Sequence, residues 1–236
     1  MPRFLTRFAA AIMFTAAIHA QPAKCKKFDN HGNPMCCNAT GFGDCPASGC
    51  TADLKLNAAK NRIDIPAEGT PQHKTIIQIA NFTHPASWSS NQGRDLLVSW
   101  GEGTPLEVTL YLKDVKRYKD GDEACNCNLD LEVNNDYHLV LVTRKTSGEK
   151  SSLTAEITPR IRLNNWTYDT LRSLADQKAY VRVTGWAMLD TQHVGKSVPK
   201  RKTHWEIHPV TKFEVCTTTK ALCDAGNDWK KLEEMP

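Results

Sequence analysis

The sequence contains one long hydrophobic run and no other. Phe8–Ile18 is too short to span a bilayer. Arg3 and Arg7 precede it and Ala20 follows it, the pattern of an export signal over residues 1–20. An uncleaved anchor is the alternative, and the lack of a second apolar segment argues against it. The mature chain is therefore expected to carry no membrane span. Charge of one sign is also missing. The formal net charge is +4, or +2 without Arg3 and Arg7, so no strong overall pull toward nucleic acid or membrane is built in. The local run Lys196–Lys202 reads as a solvated basic loop. No H-E-x-x-H, no phosphate loop ending in G-K-[ST] and no G-x-S-x-G elbow occurs, which leaves the commonest zinc-protease, nucleotide and serine-hydrolase signatures without a carrier. No internal repeat is evident.

Cysteine is plentiful. Nine cysteines in an exported chain point to disulfides before metal, and the odd count leaves at least one thiol over. They fall into three groups: Cys25, Cys36, Cys37, Cys45 and Cys50; Cys125 and Cys127; Cys216 and Cys223. Adjacent Cys36 and Cys37 need separate partners. Cys216 with Cys223 is the expected local pair. A zinc site in the first group is the weaker reading, because paired C-x-x-C spacing is absent.

Residues 21–72 read as a cysteine-rich, loop-dominated cap and junction, with a short helix near Asn57–Arg62. A β-rich domain is expected over 73–216 and a polar tail over 217–236. Thr75–Ile79 and Asp95–Trp100 read as short strands. Leu106–Tyr118 alternates strongly, with Val108, Leu110 and Leu112 on one side. Strands follow at Asp136–Arg144 and Leu153–Pro159. Thr167–Lys178 has helical spacing and a capping Thr167 or Asp169. Strands Ala179–Leu189 and Thr203–Val215 complete the order. Mainly β, three strands, a helix, two strands: this is the element order of an OB-like five-stranded barrel, whose face commonly binds oligonucleotides or oligosaccharides.

Cys45-Pro-Ala-Ser-Gly-Cys50, Leu56–Arg62, Cys125-Asn-Cys127, Asp136-Tyr-His138, Glu156-Ile-Thr-Pro-Arg160, Val183-Thr-Gly-Trp186, Asp190 with His193, and Trp205-Glu-Ile-His-Pro209 resemble, as a set, an uncharacterised family of bacterial exported proteins. The similarity runs from about Cys45 to Val215. It implies an OB-like barrel and a periplasmic or secreted bacterial setting, and it implies no reaction.

The polar residues suggest a site. Asp136 and His138 share one strand face, as do Glu206 and His208, because side chains two apart on a strand point the same way. Glu156 lies on the strand between, and Asp190 with His193 at the end of the next. Imidazoles and carboxylates suit Zn²⁺ or Mn²⁺, which would activate water. His138, His208 and Glu206 are the candidate ligands, with Asp136 or Glu156 assisting. Without metal, the same groups suit acid–base work. A purely structural network is the competing reading, with Glu206 on Arg182 and Glu156 on Arg160 or Arg162. Tyr111, Trp186 and Trp205, with Tyr118, are candidate stacking residues. Nucleic acid would need a basic groove as well, and Asp120, Asp122 and Glu123 oppose the one Lys113, Lys116 and Arg117, with Lys200–Lys202, would offer. The leading expectation is a non-catalytic binding module without a cofactor, for an oligomeric ligand or partner protein. The alternative is a metal-dependent hydrolase.

Overall fold

The computed structural model describes residues 39, 41–50, 53–117, 123–195 and 200–235. The expected export signal, Cys25, Cys36, Cys37, Tyr118 and Lys196–Pro199 lie outside the described residues.

Five strands close a barrel. They are β2 (Pro105–Arg117), β3 (Tyr137–Val142), β4 (Leu153–Ile157), β5 (Tyr180–Leu189) and β6 (Trp205–Cys216). The order round the barrel is β2-β3-β4-β6-β5 and back to β2. Only β4 and β6 run parallel among these pairs. Helix α4 (Tyr168–Asp176) lies between β4 and β5 and packs on β2, with Thr167 accepting from the Thr170 amide as its cap. The OB-like barrel with its single intervening helix is thus the architecture formed.

Alternation decides which residues enter the barrel. Leu106, Val108, Leu110 and Leu112 point inward and are buried. A register shift between Leu112 and Asp114 then hands the inward role to Val115. Such a bulge bends a strand, and this bend lets β2 pair with β5 along its first half and β3 along its second. Gly185 performs a related task on β5. A Cβ there would lie 2.3 Å from the Pro209 carbonyl oxygen and 2.6 Å from Ile207. Only glycine permits β6 to approach so closely.

Two expected strands are helices. Ile76–Ala80 is α2 and Asp95–Trp100 is α3. Thr75 and Gln78 form a capping box at the start of α2, and Ile76 and Ile79 are buried three apart. The T-x-x-Q spacing was the decisive local signal, and it outweighs the β preference of Ile-Ile. Between 73 and 104 the chain therefore adds helices whose Ile76, Ile79 and Leu97 join the core. A two-residue β1 (Gln72–His73) runs parallel to the start of β2. The tail adds α5 (Lys220–Asp224) and β7 (Trp229–Lys231), which extends the sheet beside β6.

Among the described residues the cap consists of α1 (Leu54–Lys60), a 3-10 turn at Phe42–Asp44 and loops, stapled to the β2–β3 connection. Disulfide Cys45–Cys127 joins the two. Gly49, at φ +61°, turns so that its Cα faces Ala124 with no room for a side chain. The neighbouring Cys50 amide donates to the Ala124 carbonyl at 2.8 Å. Asn61 Nδ2 donates to the Cys125 carbonyl at 2.6 Å. Cys216–Cys223 pairs as expected, Cys50 is also disulfide-bonded, and Cys125 is a buried free thiol.

Candidate functional site

Strand order brings the polar residues together. His138 on β3 sits opposite Glu156 on β4, and Ala155 on β4 sits beside Ile207 on β6. Tyr137, Leu139, Ala155, Ile157, Trp205 and Ile207 face the core. The alternate residues His138, Glu156, Glu206 and His208 therefore share the outer face of three adjacent strands. The cap and the loop 123–136 cover that face, so Glu206 and His208 are fully buried and Asp136 and Glu156 nearly so.

Glu156 is the hub. Its Oε1 is 2.9 Å from His138 Nδ1, and its Oε2 is 2.8 Å from His208 Nδ1 and 3.5 Å from Lys60 Nζ. His138 Nε2 reaches Glu123 Oε1 at 3.1 Å. His208 Nε2 lies 3.5 Å from Asp136 Oδ2. Arg201 joins Glu206, at 2.8 Å, to Asp190, which also holds His193 Nδ1 at 2.6 Å. Five carboxylates (Glu123, Asp136, Glu156, Asp190, Glu206) thus meet two permanent cations (Lys60, Arg201) and three imidazoles. Protonation of all three imidazoles makes the cluster neutral.

The electrostatics favour that state. Burial works against charge on His138, but Glu156 and Glu123 outweigh it and hold the imidazole well above its ordinary pKa. Burial likewise opposes charge on His208, yet Glu156, Glu206 and Asp136 raise it to about 9. Burial would raise Glu156, but His138, Lys60 and His208 pull it well below the carboxylate range. Asp190 is similar: its hydrogen bond from His193 and the Arg201 charge overcome burial and bring it to about 2. Asp136 goes the other way, raised to about 6 by burial and by repulsion from Glu123. Burial and Asp136 also push the Cys125 thiol well up.

These shifts set a pH profile for the proton-loaded cluster. The raised histidines stabilise the fold fully below their unfolded pKa of about 6.5, and that contribution is lost as pH rises through about 9 for His208. The depressed Glu156 and Asp190 stabilise above their unfolded pKa of about 4, and lose the effect as pH falls through their folded values. Asp136 has the sign of the histidines, favouring the fold at low pH and losing that contribution through about 6. The melting temperature should therefore peak between about pH 4 and 6 and fall steadily toward pH 9. Calorimetry across that range checks it. A flat profile from pH 6 to 9, or an unchanged slope in His208→Gln, would show that the histidines enter the fold neutral.

A cleft of about 490 Å³ opens beside this network. His138, Glu123, Cys125 and Glu156 form part of its floor, and Lys60, Lys116, Glu149, Asp190, His193, Lys200 and Arg201 contribute to its walls. One wall comes from the β2–β3 loop and another from the β5–β6 loop. OB barrels bind ligands on this same face, between these same two loops. Among the described lining residues there is no Phe, Tyr or Trp.

The expected aromatic residues lie elsewhere. Trp205 is wholly buried, edge-on to Phe82 at 5.5 Å, so it fills the core and has no face for a ligand. Trp186 is covered by the Arg62 guanidinium at 3.7 Å and donates to the Asp64 carbonyl. Tyr111 packs on Tyr180 on the outside of β2 and β5, at 4.9 Å. The expected pairings change too. Arg182 binds Glu214, not Glu206, because those two are in register on β5 and β6. Arg160 and Arg162 donate to backbone carbonyls and leave Glu156 to the histidines. Arg201, in the run read as a solvated loop, has a side chain only 14% exposed and bridges two buried carboxylates. Lys60, Glu123 and Arg201 were thus missed. The sole sequence signal for any of them was the closeness of Glu123 to Cys125-Asn-Cys127.

Among the described residues, two groups of side chains place metal-binding atoms within 4.8 Å of one another: Glu123, Cys125 and Asp136, and Asp136, Glu156 and His208. Among the described residues, no helix is long and apolar enough to cross a membrane. Comparison of the chain with protein-family models, curated proteins and solved structures gives no match.

Proposed function

We propose that this chain is an exported OB-like binding module, without catalytic activity, that takes a small charged ligand in the cleft between the β2–β3 and β5–β6 loops. The observation that carries this reading is the cleft itself: it occupies the usual OB ligand face, and its walls are ionic on both sides. The cap narrows that face to about 490 Å³, a volume suited to one small molecule or one unit of an oligomer. Nucleobases and sugars are commonly held by stacking, and the described lining supplies no large aromatic ring. An ionic or zwitterionic ligand matches the walls better. Export to a periplasmic or extracellular setting agrees with the Cys45–Cys127 and Cys216–Cys223 disulfides, which persist in oxidising compartments.

A metal-dependent hydrolase using His138, His208 and Glu206, with Asp136 or Glu156, is the second reading, favoured by the spacing of Asp136, Glu156 and His208. It ranks lower because both nitrogens of His138 already face carboxylates, so no lone pair is left for Zn²⁺ or Mn²⁺.

Thermal-shift screening with amino acids, dicarboxylates and phosphate esters, followed by calorimetry, tests the proposal. Lys200→Gln removes one cation from the cleft wall and should weaken binding of an anionic group about 10–100-fold, as loss of a charged hydrogen bond does. Trp186→Ala should bind as the parent does. Binding that depends on Trp186 or Tyr111 and ignores Lys200 would move the site to the aromatic face and sink the cleft reading.

A further inference from the structure

We infer that the groove between the C-terminal tail and the outer face of β2 and β5 is a second binding site, for a neutral oligosaccharide. It shares no lining residue with the cleft between the β2–β3 and β5–β6 loops, and it stands independently of that cleft's ligand.

Strand pairing builds the floor. β1, β2, β5, β6 and β7 pair in that order at one end of the barrel. Register sets Thr109 opposite Arg182, Tyr111 opposite Tyr180 and Cys216 opposite Trp229. Val108, Leu110, Val181, Val183 and Val215 fill the core. The alternate residues Glu107, Thr109, Tyr180 and Arg182 therefore point outward, and Trp229 with them. The tail then turns back over this face. α5 carries Lys220 and Asp224 to the rim, and the Cys216–Cys223 disulfide fixes it to the end of β6. Trp229 Nε1 donates to the Cys223 carbonyl at 2.8 Å, and the Tyr180 hydroxyl donates to Asp224 at 2.7 Å. The result is a groove of about 410 Å³, with α5 as one wall and His73 and Glu107 as another.

The lining selects the ligand. Tyr180 and Trp229 lie 5.9 Å apart, tilted by 35°, and Tyr111 continues the row 4.9 Å from Tyr180. All three rings are only partly buried, so aromatic surface remains for the apolar face of a sugar ring. The cleft has no such ring among its described lining residues.

Charge points the same way. Arg182 is held by Glu214 through two hydrogen bonds of 2.6 and 2.8 Å, and Lys220 pairs with Asp224. The cations of the groove are thus already neutralised, which removes the basic track that nucleic acid requires. Glu107 lies 3.8 Å from Arg182 Nε and 3.5 Å from His73 Nδ1, with its side chain 27% exposed. Neighbouring charged donors and acceptors of this kind suit hydroxyl groups, which donate and accept at once and bridge an ion pair without upsetting its balance.

The test titrates cellohexaose and N-acetylchitohexaose into the full chain with its disulfides intact, read by calorimetry and tryptophan fluorescence. At least one sugar should bind saturably and with little dependence on salt. Trp229→Ala should weaken binding about 10–100-fold, the effect of losing a stacking ring, and Trp229→Phe should restore most of it. Glu107→Gln should cost about tenfold, as loss of a charged acceptor does. Lys200→Gln, in the cleft wall, should bind sugar as the parent does. Failure of both sugars to bind at millimolar concentration overturns the inference, as does binding that ignores Trp229 and Glu107. Sugar binding lost in Lys200→Gln would move the sugar to the cleft. Salt-sensitive binding of oligothymidylate that needs Trp229 would make the groove a nucleic-acid site instead. Should Trp229→Ala fail to fold, Glu107→Gln, at an outward strand position, decides.

Discussion

Glu156→Ala should lower the stability of this protein by about 3–5 kcal/mol, the cost of removing one member of a buried ionic network. For a chain of this size that corresponds to a fall in melting temperature of roughly 6–20 °C. The reason is the number of cations that depend on one carboxylate. His138, His208 and Lys60 all lie within 3.5 Å of Glu156, and its side chain is only 3% exposed. Deleting it leaves three positive groups facing one another away from water. They would shed protons rather than remain charged, so both imidazoles should titrate at lower pH in the variant. Histidine ring resonances followed by NMR against pH read that directly. Glu156→Gln keeps the shape and removes the charge, so it should reproduce most of the loss. A gap of more than half between the two variants would assign the effect to packing. A melting temperature within about 2 °C of the parent in both would mean the histidines do not depend on Glu156.

The same network explains which parts of the structure were legible from sequence. β2 announces itself by alternation, and β3, β5 and β6 by their runs of β-forming residues; Val108, Leu110 and Leu112 do line the core. The two D/E-x-H strands marked His138 and His208 by their spacing. Their meeting at Glu156 was a matter of topology. Only the order β3-β4-β6 puts one carboxylate between two histidines that are 70 positions apart in the chain. Parity also had more to say about Trp205. Once Glu206 and His208 point outward, Trp205 and Ile207 must point inward, so a stacking role for Trp205 conflicted with a site role for its neighbours. Lys60, Glu123 and Arg201 carry no period at all. They sit on a short helix and two loops, and tertiary contacts set their partners. Arg201 in particular looks like its exposed neighbours Lys200 and Lys202 until Asp190 and Glu206 are placed opposite it.

The cap that buries this network depends on a covalent link, and breaking that link should have the largest effect of any change to the cysteines. The double variant Cys45→Ala/Cys127→Ala opens a crosslink spanning 82 residues of sequence. In the chain-entropy treatment a loop of that length is worth about 4.5 kcal/mol, against about 2.5 kcal/mol for the separation of 7 closed by Cys216–Cys223. The expected fall in melting temperature is roughly 9–18 °C for the first pair and about half that for the second. Replacing both cysteines of a pair avoids a new thiol beside Cys125. The consequence should be local as well as global. Cys45 and Cys127 pack with Ala39, Cys50 and Leu129 in a small cluster of their own, separate from the barrel core. Without the bond, the hydrogen bonds from Asn61 Nδ2 to the Cys125 carbonyl and from the Cys50 amide to the Ala124 carbonyl still tie the loop 123–136 to the cap. Water should then reach His208 and Asp136, and their pKa values should move back toward ordinary ones. Amide exchange would show protection lost first in residues 123–136, with β2 to β6 still closed. Uniform loss across the barrel would instead make cap and barrel one cooperative unit. A double variant within about 1 kcal/mol of the parent would show that the ionic network, and not the crosslink, holds the cap in place.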